Sequence, residues 1–275
     1  MSLAIAVLAA VAYAGGSILQ AVAANRPGTV LALAVSPLYL AGLVVDAGAW
    51  ALSLWALRGL PVYVVQAVLA GSLGLTVLLA RVVLHTVIRP RDYLAILAMV
   101  GALGVVGVAG REQPASSPSA GAVLVLSVAG FAVAAVTGLA VLMAGRTDRR
   151  GLLLAGLAGL AFSATALAGR VVQPRTPLIG TLAEPLLWVV ICAGVAGTVA
   201  YAAALQRGAV AAVTALLWGV EVIVPAVVAI PLLGDEIRHG WGPAAALAIA
   251  TVVGAAAILA GSPSAVTGPE QPADQ

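Results

Sequence analysis

The sequence predicts an all-α integral membrane protein of about nine transmembrane helices, arranged as two inverted repeats of four and five. Hydrophobic residues make up 63% of the chain and charged residues only 8%, where a soluble domain carries about 25% charged. The apolar residues fall in runs of about 17 to 25, the length a helix needs to cross a hydrocarbon core. The two halves also resemble each other when shifted by 148 residues, an offset of five crossings that reverses orientation.

In order, the runs are Ser2–Ala23, Ser36–Leu57, Val62–Leu84 and Tyr93–Gly110, followed by a Pro/Ser/Ala linker over 113–120. Then come Gly121–Ala144, Gly151–Ala168, Thr181–Leu205, Ala209–Leu233 and Trp241–Gly261. The domain plan is therefore an N-terminal half over 1–112, the linker, a C-terminal half over 121–261 and a disordered tail over 262–275. The first run lacks a basic segment ahead of it, Arg26 lying after it, so it reads as a retained helix and not a signal peptide.

All 13 basic residues are arginine, and without lysine neither a Walker-type phosphate loop nor Schiff-base chemistry is available. Arg26, Arg81, Arg89, Arg91, Arg146, Arg149, Arg150 and Arg207 fall on one side; Arg58, Arg111, Arg170, Arg175 and Arg238 fall on the other. Short cytoplasmic loops are enriched in basic residues, so the N-terminus is expected outside and the C-terminus in the cytoplasm, in a multi-pass protein of the plasma (inner) membrane. Cys192 is the sole cysteine, which excludes an intrachain disulfide and a thiolate metal cluster. His85 and His239 sit at loops, too far apart in sequence for a metal motif.

An ionisable side chain at the bilayer centre costs at least ~2.5–3.5 kcal/mol, so it is expected to face a cavity or a partner. Two acids lie deep in spans: Asp46 and Glu221. Pro225, four residues after Glu221, has no N–H for the Glu221 carbonyl, which makes it a candidate hinge beside a carboxylate. The same features also suit a plain kink with a neutral glutamic acid bonded to another helix. Trp50 and Trp218 share helical faces with Asp46 and Glu221 and either shape a cavity, hold a cation over a ring or pack between helices. Gln20 and Gln66 need partners in lipid and are candidates for the same interior or for bridging helices. Trp55, Trp188 and Trp241 read as interfacial anchors, and Glu184, Arg81 and Arg170 as snorkelling groups near span ends. Gly101, Gly104, Gly107 and Gly110, with Gly156 and Gly159, read as small faces for close helix packing.

At the 148-residue offset Ala56, Leu57, Ala67, Leu69, Gly71, Leu84 and Val105 fall on Ala204, Leu205, Ala215, Leu217, Gly219, Leu232 and Val253, and Tyr93 and Trp241 open equivalent helices. The stretches LRGLPVYVVQAVLAG (Leu57 to Gly71) and QRGAVAAVTALLWGVEVIVPAVVAIPLLGDEIRHG (Gln206 to Gly240) resemble repeats of the drug/metabolite transporter superfamily, EamA-like. The segment GGSILQAVAANR (Gly15 to Arg26) is similar to the first helix of its NIPA-type magnesium transporter branch. The resemblance implies a secondary transporter of a small solute working by alternating access, or a magnesium transporter or channel with Asp46 and Glu221 as metal ligands. The family plan has five helices per half, and here a helix is missing from the first half after the first one. No hydrolase or metalloprotease motif is present, so an enzyme is not expected; neither is a cofactor. The expected partners are the bilayer and the solute, with no nucleic acid; a homodimer is left open. A non-transporting scaffold is the rival from another class.

Overall fold

The computed structural model describes residues 1–24, 36–85, 87–110, 113, 118–144, 150–172, 178–207 and 210–262. The described chain is all-α apart from an isolated bridge between Gly110 and Ile237. The helices are α1 (Ser2–Ala24), α2 (Pro37–Ala56), α3 (Val62–Ala70), α4 (Ser72–Leu84), α5 (Pro90–Ala109) and α6 (Ala120–Met143). They continue with α7 (Gly151–Val171), α8 (Leu178–Leu182), α9 (Pro185–Leu205), α10 (Val210–Leu233) and α11 (Gly242–Ala260). Nine spans among the described residues are long and apolar enough to cross a bilayer, α3 and α4 forming one of them with a turn at Gly71.

Boundaries move where caps decide them. The fourth span starts at Pro90 and not Tyr93, because proline suits the first turn and Asp92 accepts from the Arg89 backbone N–H at 3.0 Å. The seventh starts at Pro185 and not Thr181, the preceding residues forming the separate short α8. α10 runs through Pro225 and Pro231 without a break. Half of the expected linker, 114–117, and all of the expected tail beyond Ser262 lie outside the described residues; Ser262 itself is buried and bonded to Asp92.

Small residues set the closest crossings, though largely not at the expected glycines. α5 buries Ala95, Met99, Ala102 and Val106 against neighbours, while a Cβ at Gly101 or Gly104 would meet nothing within 4 Å. The alanine side of α5 is its packing face, and those two glycines lie beside it on the exposed side. Gly110 and Gly159 do sit tightly: a Cβ would fall 2.5 Å from Val64 Cγ2 and 2.8 Å from Val220 Cβ. The α1–α2 crossing is comparably close, for a Cβ on Gly42 would lie 2.7 Å from Gln20 Cγ and 2.9 Å from the Gly16 carbonyl oxygen.

The packing order is regular. α1 lies against α2 and against the α3–α4 span; α7 lies against α9 and against α10. α5 packs on α11, α3 on α10, and α6 on α7 and α9. Helix α1, whose place the sequence leaves open, is thus seated in the bundle beside the site described next.

Candidate functional site

Between these helices lies a cavity of about 750 Å³, walled by α1, α2, the α3–α4 span, α7, α9 and α10. Asp46, Glu221, Trp50, Trp218, Gln66 and Gln20 all line it, so residues from four spans are brought to one space. Tyr13, Tyr39, Phe162 and Tyr201 add aromatic wall, and no arginine or histidine is among its described lining residues. Pro225 is buried in α10 but is not part of the wall.

Each acid is held by one amide from a neighbouring helix. Gln20 Nε2 on α1 donates to Asp46 Oδ2 on α2 at 2.6 Å. Gln66 Nε2 on α3 donates to Glu221 Oε1 on α10 over a longer 3.4 Å. The glycine crossing explains the first contact: a Cβ on Gly16 would collide with Asp46 Oδ1, so only glycine lets this carboxyl approach α1. Asp46 Oδ1 is buried there and accepts no hydrogen bond from the described residues. Opposite, the Tyr201 hydroxyl and Thr214 Oγ1 are 3.0 Å apart, tying α9 to α10 across the wall. The resulting chamber has an apolar and aromatic body with two carboxyls that between them have two amide donors.

The described lining of the cavity lies mostly towards one end of the bundle. Tyr39, Ala21, Leu205, Thr214 and Ala260 belong to helix turns at one end; towards the opposite end the lining ceases at Leu57 and Gln66. Beyond Leu57 lies a polar junction that the sequence reading missed. Asp235 Oδ1 accepts from Arg170 Nη2 at 3.0 Å and from Gln113 Nε2 at 3.2 Å, and its Oδ2 accepts from the Val62 backbone N–H at 2.6 Å. Arg170 also donates to the Leu57 carbonyl and to the Gln113 carbonyl, and the Gln113 N–H donates to the Gly59 carbonyl. The Arg238 N–H donates to the Ala109 carbonyl, and the Tyr63 hydroxyl to the Glu236 carbonyl.

Arg170 therefore does not snorkel. It is 3% exposed, because α7 ends in a protein junction that supplies a carboxylate and carbonyls, not in the headgroup layer. Trp55 and Trp188 are largely exposed near the same end, where Trp188 donates to the Leu182 carbonyl, and Trp241 is half-buried. His85 and His239 are both exposed and lie at opposite ends of the bundle.

At the cavity end the polar tie is smaller. Asp92 is buried at the start of α5 and accepts from the Ser262 hydroxyl, just after α11, at 2.8 Å. The two ties are reciprocal: a group following α11 bonds an acid opening α5, while Gln113, following α5, bonds an acid preceding α11. Among the described residues no group of three His, Cys, Asp or Glu side chains is placed to hold a metal ion. No protein-family model, curated protein or solved structure matches this chain, so its own geometry carries the functional argument.

Proposed function

We propose that the protein is a secondary transporter of a small solute, of the drug/metabolite transporter type, working by alternating access. The single observation that carries this reading is the mid-bundle cavity, whose described lining is weighted towards one end. Its volume of about 750 Å³ is within the usual size of small-molecule sites, about 300–1,000 Å³. A scaffold has no need of such a chamber with two carboxyls at membrane depth.

The wall supports an inverted-repeat origin. Six pairs of lining residues stand at the 148-residue offset: Ser17 with Thr165, Ser53 with Tyr201, Leu57 with Leu205, Gln66 with Thr214, Leu69 with Leu217, and Leu73 with Glu221. Members of a pair fall towards opposite ends, Leu57 by the polar junction and Leu205 at the far mouth, as an axis in the membrane plane requires. Packing agrees, since α1 contacts α2 and the α3–α4 span as α7 contacts α9 and α10. On this reading spans one to four repeat as six to nine, and α6 is the additional helix.

The lining favours a cation with an apolar body. Two carboxyls, the rings of Trp50 and Trp218 and the lack of a described basic group attract positive charge, and the apolar remainder suits carbon better than a hydrated ion. A second reading, divalent cation passage, is favoured by the buried, unbonded Asp46 Oδ1, because magnesium takes one or two carboxylates and keeps its waters.

Uptake into proteoliposomes separates these readings. Tetraethylammonium uptake that falls about tenfold or more in Glu221→Gln and in Asp46→Asn, beside an inert organic anion of equal size, is the expected result. Magnesium uptake with the same sensitivity would replace the first reading by the second. Failure of cations, magnesium and neutral solutes alike to move would end the transport reading.

A further inference from the structure

We propose that the junction on Asp235 is the closed gate of the cavity, and that Arg170 and Asp235 are the pair that must part for the cavity to reach that end. This rests on the transport reading above, and its main test is read without transport.

The junction is placed where a gate belongs. It gathers the α2–α3 connection through Leu57 and Val62, the segment after α5 through Gln113, the end of α7 through Arg170 and the segment before α11 through Asp235. Both halves of the chain therefore meet on one carboxylate. Leu57 joins it to the cavity: the residue lines the space and its carbonyl accepts from Arg170. If the junction opens, the floor at Leu57 loses its anchor.

The chemistry is that of a contact made to be broken. The side chains of Arg170 and Asp235 are 3% and 0% exposed, and both oxygens of Asp235 are bonded. A buried ion pair holds helices no better than a well-packed apolar contact of the same volume, because desolvation offsets the attraction. It differs on separation: water entering between the loops solvates both ions again, whereas a parted apolar contact stays costly. A satisfied, two-state polar contact is thus suited to a gate that alternates.

The device belongs to one end only. At the 148-residue offset Arg170 and Asp235 correspond to Val22 and Val87, so the other repeat has no copy of the pair. Closure at the cavity end must use other contacts.

The test uses the full chain with Cys192→Ser and one introduced thiol, Leu57→Cys, in sealed proteoliposomes. A membrane-impermeant maleimide is applied to each face in turn. Leu57→Cys should be protected from the junction face in the parent and react about tenfold faster or more when Asp235→Asn is added. Should that variant fold poorly, Arg170→Gln with Asp235→Asn removes both charges and should give the same increase. Equal labelling from the junction face in parent and opened variants overturns the gate.

A lock provides the converse. The Arg238 N–H already bonds the Ala109 carbonyl, next to the bridged pair Gly110 and Ile237. Opposed residues of such an antiparallel pair lie about 4.5–5.5 Å apart, within disulfide reach. Ala109→Cys with Arg238→Cys, on the Cys192→Ser background, should stop tetraethylammonium uptake when oxidised and restore it on reduction. Uptake indifferent to oxidation, together with Leu57→Cys labelling from the junction face that Asp235→Asn does not raise, overturns the proposal. Labelling that follows the expected pattern in a protein that moves no probe would leave the gate standing and remove the transport reading.

Discussion

The two ends of the bundle are held by the same kind of group used in opposite ways. At one end a fully bonded carboxylate, Asp235, gathers Arg170, Gln113 and the Val62 N–H, and no cavity residue lies beyond Leu57. At the other end helix turns part around a chamber, and the polar tie between α5 and α11 narrows to Asp92 and Ser262. The carboxyls within the chamber each have one amide donor. Saturated with donors and buried, a carboxylate acts as a fastener; left under-coordinated beside open volume, it can take a ligand's donors. Structural and candidate binding acids in this chain differ in their partners, not in residue type.

The largest effect expected from breaking this contrast is at Arg170. Arg170→Met leaves Asp235 buried without its counter-charge, and stability should fall by about 3–5 kcal/mol, read as an earlier unfolding transition in detergent. Adding Asp235→Leu removes the orphaned charge and should recover most of the loss. If the single and double variants are equally unstable, the junction is held by packing and the ion pair contributes nothing specific.

A smaller effect is expected where the chamber acid meets α1. Gly16→Ala inserts a Cβ against Asp46 Oδ1 and must spread the α1–α2 crossing, at about 1–3 kcal/mol for overpacking. Asp46 would move off Gln20 with it, so cation affinity should fall alongside stability. Gly101→Ala is the control: nothing lies within 4 Å of its Cβ, and relief of a helical glycine should stabilise by up to about 1 kcal/mol. Similar outcomes at the two sites would mean that the crossing is looser than its geometry.

These pairs also show what could be read without coordinates. The spans were legible because bilayer thickness imposes a length on every apolar run, and Asp46 and Glu221 because a mid-span acid needs a reason to be there. That both face one chamber depended on helix rotation, which helix-by-helix periodicity does not fix across a bundle. Asp235 was illegible for another cause: it lies two residues past α10, in a Gly-Asp-Glu run that reads as a solvated turn. Its burial arises only when the ends of α5 and α7 close over it, contacts separated by 122 and 65 positions in sequence. Gly16 and Gly42 carried no mark either, being two of 31 glycines whose neighbours only the fold supplies.

The smallest effect sharpens the contrast from the other side. Ser262→Ala removes one neutral donor from Asp92, whose Oδ2 retains the Arg89 N–H and whose Oδ1 lies 3.7 Å from Arg91 Nε. Stability should drop by about 1 kcal/mol, the usual net worth of one hydrogen bond, because the acid keeps a partner. Gln113→Ala, the reciprocal change, also removes one side-chain donor, but from a carboxylate shared by several connections. If the Asp235 junction is the gate and the Asp92 tie only fastens α5 to α11, Gln113→Ala should raise Leu57→Cys labelling from the junction face while Ser262→Ala leaves it unchanged. Stability and labelling measured on the same two variants decide between them. A rise in labelling with Ser262→Ala would mean that the α5–α11 pair moves as a whole, so that loosening either end opens the floor of the cavity.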